Sequence, residues 1–208
     1  MLVVIVLLAY VIGSIPPAVW VGKYFYGIDI REHGSGNAGA TNVLRTLGKK
    51  AAISVLIMDM VKGFAAVNLS WFTSYSPTDN EWIGIRSALA IAAILGHIFP
   101  LFAQFRGGKG VATMTGTLLA LNPAAASIAI VFFSVILSFT KYVSLSSMVT
   151  ALMLPVIFGA LFGSGMALNL YSFAVAVIIL ITHRKNIKRL LKGEELKFSL
   201  PGKKNINQ

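Results

Sequence analysis

The sequence predicts an all-α, polytopic membrane helix bundle of seven helices, the fourth of them short. Hydrophobic residues make up 56% of the 208-residue chain and charged residues only 12%, far from the quarter usual in soluble domains. Apolar runs of the length a bilayer demands, roughly 20 residues per crossing, fill most of the chain. The longest polar stretches are 22–50 and the tail after His183, too little for a separate soluble domain. Residues 1–208 are therefore read as one membrane domain, with its site built from loops and helix ends.

The first run, 2–21, has no basic segment before it and no small-residue cleavage site, so it is expected to be a retained span and not a signal peptide. Pro16 and Pro17 should kink it, because each removes a backbone donor that neighbouring helices must replace. Runs 51–72 and 83–103 follow as the second and third spans. The next run, 111–139, is too long for one crossing. Asn122-Pro123 inside it is a helix stop followed by a helix start, which yields a short fourth helix and a fifth. Runs 144–162 and 168–182 complete the seven.

A net charge of +11 would point to nucleic acid in a soluble protein; in a membrane protein the placement of the charges decides. Fifteen of the 18 Lys and Arg lie in three segments: the first long loop (Lys23, Arg31, Arg45, Lys49, Lys50), Arg106 with Lys109, and the tail. The positive-inside rule makes these segments cytoplasmic and puts the loop with Asp79 and Glu81 outside. An outside N-terminus and a cytoplasmic C-terminus then need an odd number of crossings, which the break at Asn122 supplies. There is no aromatic-interleaved basic domain, so lipid and anionic substrate are the expected partners and nucleic acid is not. With no cysteine, disulfides, thiolate nucleophiles and Cys metal sites are excluded.

Asp59 and Lys62 lie three apart within the second span and share a helix face. A charge at the bilayer centre costs about 2.5–3.5 kcal/mol, so the pair is read as structural, an internal ion pair, with the wall of a substrate cavity as the other reading. The loop 34–45 is glycine-rich and polar, and it ends in an arginine. Its Gly34-x-Gly36-x-x-Gly39 spacing matches a dinucleotide fingerprint, but the strand and βαβ unit that give that motif meaning are missing. Its physics remains: glycine backbones can turn amides toward an anion, Ser35, Asn37, Thr41 and Asn42 add hydrogen-bonding groups, and Arg45 adds a forked cation suited to phosphate. Gly107-Gly108-Lys109-Gly110 lacks the spacer of a Walker A loop, yet it leads into a helix N-terminus and can cradle a phosphate.

The three histidines are not spaced as metal ligands, and no metal or organic cofactor is expected. His97, inside the third span, reads as a packed or hydrogen-bonding residue. His183 stands where the last span leaves the membrane, with Asn186 one turn on. That placement makes it the leading candidate for an acid-base or orienting role.

Three segments together carry a family resemblance. They are 34–42 with Arg45, then Gly107-Gly108-Lys109-Gly110-Val111-Ala112-Thr113, then His183-Arg184-x-Asn186-Ile187-x-Arg189-Leu190-x-x-Gly193-x-Glu195. Lesser marks are Gly13-Ser14-Ile15-Pro16, Asp59-x-x-Lys62-Gly63 and Gly96-His97. The chain resembles the bacterial acyl-phosphate:glycerol-3-phosphate acyltransferases (PlsY) over nearly its whole length; 196–208 lies outside the pattern and has no assigned role.

The resemblance implies an enzyme of the bacterial cytoplasmic membrane, with its active site facing the cytoplasm, that moves an acyl group from acyl phosphate to the 1-hydroxyl of glycerol 3-phosphate. It further implies that Ser35 and Arg45 are required, that Gly107, Gly108 and Gly110 help bind glycerol phosphate, that His183 and Asn186 serve the reaction, and that Glu195 is structural. The soluble-type signature of His followed five residues later by Asp is absent, since Ala38, Phe102 and Lys188 stand at that offset. Because an acyl phosphate is already activated, direct transfer in a ternary complex is expected. In it Ser35, Gly36, Asn37 and Lys109 would hold phosphate, and Arg45 with Asn186 would hold glycerol phosphate. Competing readings are Ser35 as a nucleophile, a small organophosphate transporter, for which 39–41 and 111–113 offer only a faint internal echo, and a non-catalytic scaffold for anionic lipid.

Overall fold

A computed structural model describes residues 1–79 and 81–198. Among the described residues the chain forms ten α-helices and no strand: α1 (Leu2–Gly13), α2 (Pro17–Tyr26), α3 (Ala40–Leu47), α4 (Lys49–Asn68), α5 (Trp82–Ile98), α6 (Val111–Leu121), α7 (Pro123–Thr140), α8 (Val143–Val156), α9 (Met166–Thr182) and α10 (Arg184–Leu191). Five segments are long and apolar enough to cross a membrane: Leu2–Tyr26, Lys49–Phe72, Trp82–Ala103, Pro123–Thr140 and Val143–Leu161. Met166–Thr182 with Arg184–Leu191, bent by 60°, is a sixth candidate, and Val111–Leu121 is a shorter apolar helix. Every apolar run of the sequence is therefore helical.

The first run departs from the single kinked span expected over 2–21. The helix stops at Gly13, restarts at Pro17 and continues to Tyr26. Pro16 sits outside the helical region at φ −103°, ψ 77°, and Pro17 takes the first helical position, where its missing donor costs nothing. The break releases the Ile15 carbonyl from the helix ladder, since the Val19 amide donates to Pro16 instead. The ammonium of Lys62 donates to that carbonyl at 2.7 Å. At Asn122 the expected break is present: the Asn122 side chain accepts from the Ala125 amide at 3.0 Å and caps α7, with Pro123 as its first residue.

Lipid tails are as apolar as leucine, so helices in a bilayer associate through close packing and interhelical hydrogen bonds. At the α4–α6 crossing a Cβ on Gly63 would strike the Thr113 carbonyl, and one on Gly116 the Met60 carbonyl. On the α1–α5 face, Gly13 lies against Ala93 and Gly96 against the Tyr10 carbonyl in the same way. Polar ties reinforce these seams. Thr117 and Tyr171 hydroxyls join α6 to α9 at 2.8 Å, Tyr10 Oη donates to the Phe99 carbonyl at 2.6 Å, and Arg86 donates to the Ala120 carbonyl in the last turn of α6 at 2.6 Å. The main core lies among α5, α6, α8 and α9 around Ile94, Leu118, Leu154, Phe158 and Ile179. A second core under the first loop gathers Ile30, Val43 and Val55. By contrast α7 buries only Ala125, Ala126 and Ala129, while Val131, Val135 and Phe139 stay exposed on a face suited to lipid.

Substituting Gly116→Leu should separate α4 from α6 and lower the thermal unfolding midpoint in detergent, by a strain of about 1–3 kcal/mol. Gly84→Ala, where a Cβ meets open space, should be neutral or stabilise by up to about 1 kcal/mol. Equal midpoints for the two variants would show that the close crossing is not needed.

Candidate active site

The loop between α2 and α3 is ordered by its own polar side chains. Asp29 caps the turn Ile30–Glu32, and Arg31 grips its carboxylate through Nε at 2.9 Å and Nη2 at 2.6 Å. These hydrogen bonds hold the Asp29 carboxyl well below the usual carboxylate range. Arg31 Nη1 also donates to the Ala103 carbonyl at 2.7 Å, tying this loop to the segment ahead of the second glycine loop. Asn42 was expected to bind substrate, yet its side chain works inside the loop. Its amide donates to the carbonyls of Ile30 and His33 at 3.0 Å each and its oxygen accepts from the Ser35 amide at 2.8 Å. A Cβ on Gly34, at φ +60°, would collide with that oxygen. Asn42 thus positions Ser35, whose hydroxyl is left free of protein partners among the described residues. Thr41 and Asn37 line the cavity beside it.

The second glycine loop also departs from expectation. The Gly107 and Gly108 amides, expected to face a phosphate, donate at 3.2 Å to the carbonyls of Ile98 and His97. Glycine is required at both for close approach, since a Cβ would strike the His97 carbonyl at 107 and His97 Nε2 at 108. Only Gly110, at φ +87°, needs glycine for its backbone, where it opens α6. What reaches the cavity is Lys109 together with the start of α6. The Lys109 ammonium donates to Asn186 Oδ1. Burial pulls it down to about 8, with Arg189 and Arg45 adding to the effect and Glu195 opposing it.

In the third segment Glu195 is the anchor. Its Oε1 accepts from Ser144 at 2.7 Å and from Asn186 at 2.6 Å, and its Oε2 accepts from Arg189 Nε at 2.7 Å. These donors keep the Glu195 carboxyl below its ordinary range against the effect of burial. Asn186, expected to hold substrate, spends both ends of its amide on Lys109 and Glu195, and so relays the anchor to the ammonium. His183 is 2% exposed at the interfacial end of α9. Its Nδ1 lies 2.8 Å from the Ile179 carbonyl, which can only accept, so Nδ1 carries the proton and Nε2 keeps its lone pair. Burial and the nearby Lys109 ammonium hold His183 down to about 4, neutral at pH 7.

All three segments meet at two adjoining cavities. The smaller, about 140 Å³, is polar and includes Ser35, Gly36, Lys109, Thr182, Lys185 and Arg189. The larger, about 390 Å³, starts at Ser35, Arg45, Lys109 and His183 and extends between α4, α6, α7 and α8 past Met60, Leu118 and Phe133. Arg45 is at its rim and donates to the Leu196 carbonyl at 3.1 Å. Tail residues Leu196 and Phe198 therefore have a place: the Phe198 amide donates to the Lys141 carbonyl at 2.6 Å. Residues 199–208 lie outside the described residues.

Two groups that the sequence reading kept from the site also line the larger cavity. Asp59 accepts from Lys62 at 2.8 Å and stands 3.2 Å from His97 Nδ1. A His–Asp pair thus assembles from two helices, although the sequence has none at the soluble-type spacing. The signal available beforehand was three ionisable residues inside apolar spans, a functional pointer in its own right. Among the described residues, no group of three or more His, Asp or Glu is placed to hold a metal ion.

A helical membrane protein whose cationic polar mouth opens into an apolar chamber is built to take an anionic head and an attached chain. A family model described as glycerol-3-phosphate acyltransferase matches residues 3–193. A glycerol-3-phosphate acyltransferase of Listeria monocytogenes is 47% identical over 197 residues, covering 95% of this chain and 96% of its own. One from Geobacillus kaustophilus is 44% identical over 206 residues, covering 99% and 100%. The crystal structure of PlsY, an integral membrane glycerol 3-phosphate acyltransferase, superposes in its glycerol 3-phosphate form with a TM-score of 0.86 at 34% identity, covering 95% of this chain and 96% of that one. Its lysophosphatidic acid form gives 0.83 at 33% identity, covering 95% of each chain. The chain belongs to the glycerol-3-phosphate acyltransferase family, as an integral membrane acyltransferase of the PlsY type. This membership displaces the transporter and scaffold readings.

Proposed function

We propose that this enzyme moves the acyl group of a long-chain acyl phosphate to the 1-hydroxyl of glycerol 3-phosphate, giving 1-acylglycerol 3-phosphate and inorganic phosphate, an early step of phospholipid synthesis. The observation that carries the reading is the junction of polar compartment and apolar chamber at Ser35, Asn37, Lys109, Asn186 and Arg189. Both substrates bring phosphate to the cations, and one brings a chain for the chamber between α4, α6, α7 and α8. The chain arrives from a bilayer as apolar as the chamber, so its burial adds little affinity. Phosphate contacts to Arg45, Lys109 and the first amides of α6 supply the binding.

Transfer is direct, within a ternary complex. The glycerol hydroxyl oxygen attacks the acyl carbonyl carbon, the bond from that carbon to the phosphate oxygen breaks, and phosphate leaves with the electron pair. His183 Nε2 accepts a hydrogen bond from the attacking hydroxyl and aligns it. An imidazole held near 4 is a weaker base than phosphate, so the departing phosphate takes the proton. Ser35 donates to the acyl-phosphate head. Its hydroxyl has no histidine or carboxylate partner among the described residues, which disfavours activation as a nucleophile. We place the N-terminus outside and the C-terminus and site on the cytoplasmic face of the bacterial inner membrane, on the strength of the positive charge of all three site segments.

Purified enzyme given acyl phosphate and glycerol 3-phosphate should release phosphate one-for-one with lysophosphatidic acid. Arg45→Ala should lower kcat/KM by about tenfold to a hundredfold, the worth of a charged hydrogen bond; Ser35→Ala should lose most of its activity with the hydrogen bond to the acyl-phosphate head, and the native enzyme should show no acyl adduct on Ser35 in a single turnover. An acyl adduct on Ser35 in the native enzyme would overturn direct transfer.

Lys109 binds phosphate only while protonated, and in the empty site it loses its proton near pH 8. Affinity is therefore present below that pH and lost above it. The KM for glycerol 3-phosphate should rise about fivefold from pH 8 to pH 9, and Lys109→Arg, whose charge persists, should flatten the rise. A flat profile in the native enzyme would exclude Lys109 as the titrating contact.

The absence of native cysteine allows the orientation to be read by single replacements. Ser74→Cys should react with an impermeant maleimide on intact cells, and Lys192→Cys only after lysis; the reverse pattern would invert the topology.

A further inference from the structure

Among the described residues, a buried Asp–Lys ion pair and a histidine lie beneath the second glycine loop. Asp59, Lys62 and His97 are 1%, 5% and 6% exposed. Lys62 donates to Asp59 and to the Ile15 carbonyl, freed by the break between α1 and α2. The carboxylate of Asp59 can only accept, so His97 Nδ1 donates to it and Nε2 is the lone-pair nitrogen. That nitrogen is packed against Gly108 so closely that a Cβ there would collide with it. The His97 carbonyl also accepts the Gly108 amide, and the Ile98 carbonyl the Gly107 amide. Side chain and main chain of His97 thus grip the residue just ahead of Lys109. From the other side, Thr182 Oγ1 shares its proton between the Ile179 carbonyl at 3.0 Å and the Lys109 carbonyl at 3.2 Å, and Asn186 holds the ammonium. The loop hangs between α5 and the junction of α9 with α10.

We propose that His97 is a positioning residue: held in one orientation by Asp59, it sets the height of Gly108 and so aims Lys109 and the start of α6 at substrate phosphate. This rests on the reading that Lys109 binds phosphate. Lys62 keeps the Asp59 carboxylate compensated, and the proline break supplies the carbonyl that completes the Lys62 shell. The same contact, with the Ala38 carbonyl 2.8 Å from where a Cβ would stand, explains why residue 108 is glycine even though its amide is already spent.

The test compares His97→Phe, His97→Asn and Lys109→Gln in the full-length enzyme, reading KM for glycerol 3-phosphate, kcat and the unfolding midpoint. Phenylalanine fills the space without a donor for Asp59, and KM should rise between about tenfold and a hundredfold, the effect of displacing a binding group by about 1 Å. Asparagine, whose Nδ2 takes the place of Nδ1 but whose shorter side chain gives up the contact with Gly108, should recover only part of that loss. Gly108→Ala should raise KM in the native background and have less effect beside His97→Asn, where the shorter side chain removes the nearer of two clashes and leaves only that with the Ala38 carbonyl; this pair decides the matter if His97→Phe does not fold. A raised KM in Lys109→Gln with an unchanged KM in His97→Phe would overturn the proposal and leave the phosphate reading intact. An unchanged KM in Lys109→Gln would overturn that reading instead. Equal impairment by Phe and Asn, tracking a lowered midpoint, would reduce His97 to a packing residue.

Discussion

The buried ammonium of Lys62 constrains the rest of the bundle. A cation between apolar helices must find its counter-charge and acceptors inside the protein, and removing one partner of a buried pair costs about 3–5 kcal/mol. Asp59, one turn away on α4, supplies the charge, and Ile15 supplies a carbonyl that a continuous first helix would have kept for itself. The proline pair is thus more than a kink. It exposes one main-chain acceptor at the depth where Lys62 needs it. Gly63, the next residue, lets α6 pass at backbone distance, so the helix that carries the cationic loop is placed by the same few residues that satisfy the charge.

The distribution of the few carboxylates explains why the site is electropositive. Asp29 takes Arg31 and Lys23, Asp59 takes Lys62, and Glu195 takes Arg189. Each of these pairs braces a segment. Among the described residues Arg45, Lys109 and Lys185 have no carboxylate within ion-pair distance, and all three line the cavities. The lowered proton affinity of Lys109 comes first from burial and then from crowding by Arg189 and Arg45, with Glu195 opposing. A bound phosphate relieves that crowding, which is why such a site favours anions over water.

Much of this was legible beforehand, because bilayers impose simple rules on sequence. The apolar runs, the Asn122-Pro123 break and the grouping of three polar segments at one end follow from length, proline chemistry and charge placement. Completeness of the first break was not legible: whether two prolines bend or end a helix depends on who takes the freed carbonyl, and Lys62 lies 47 residues away from Ile15. Nor could spacing reveal that Asp59 would meet His97, 38 residues on, since helix rotation decides which intramembrane polar groups face each other. Asn42 and Asn186 show a related limit. Their side chains are of the kind that binds phosphate or sugar hydroxyls, and only coordinates reveal that their donors and acceptors are already engaged.

Glycine-rich sequence near a phosphate site invites the idea of a cradle of amides. In this fold that idea holds for few of the glycines, because the amides of Gly107 and Gly108 are bonded to α5 and their small size serves packing. On the proposed reading phosphate is held instead by side-chain cations and by the first turn of α6, whose amides have no helical acceptor. Such a site depends on aim more than on wrapping: a nest surrounds its anion, whereas an ammonium on a four-carbon stem binds well only if its root is fixed. Lys109 is held at its backbone by Thr182, through its neighbour Gly108 by His97, and at its head by Asn186, itself braced by Glu195, which is the kind of anchoring that requirement calls for.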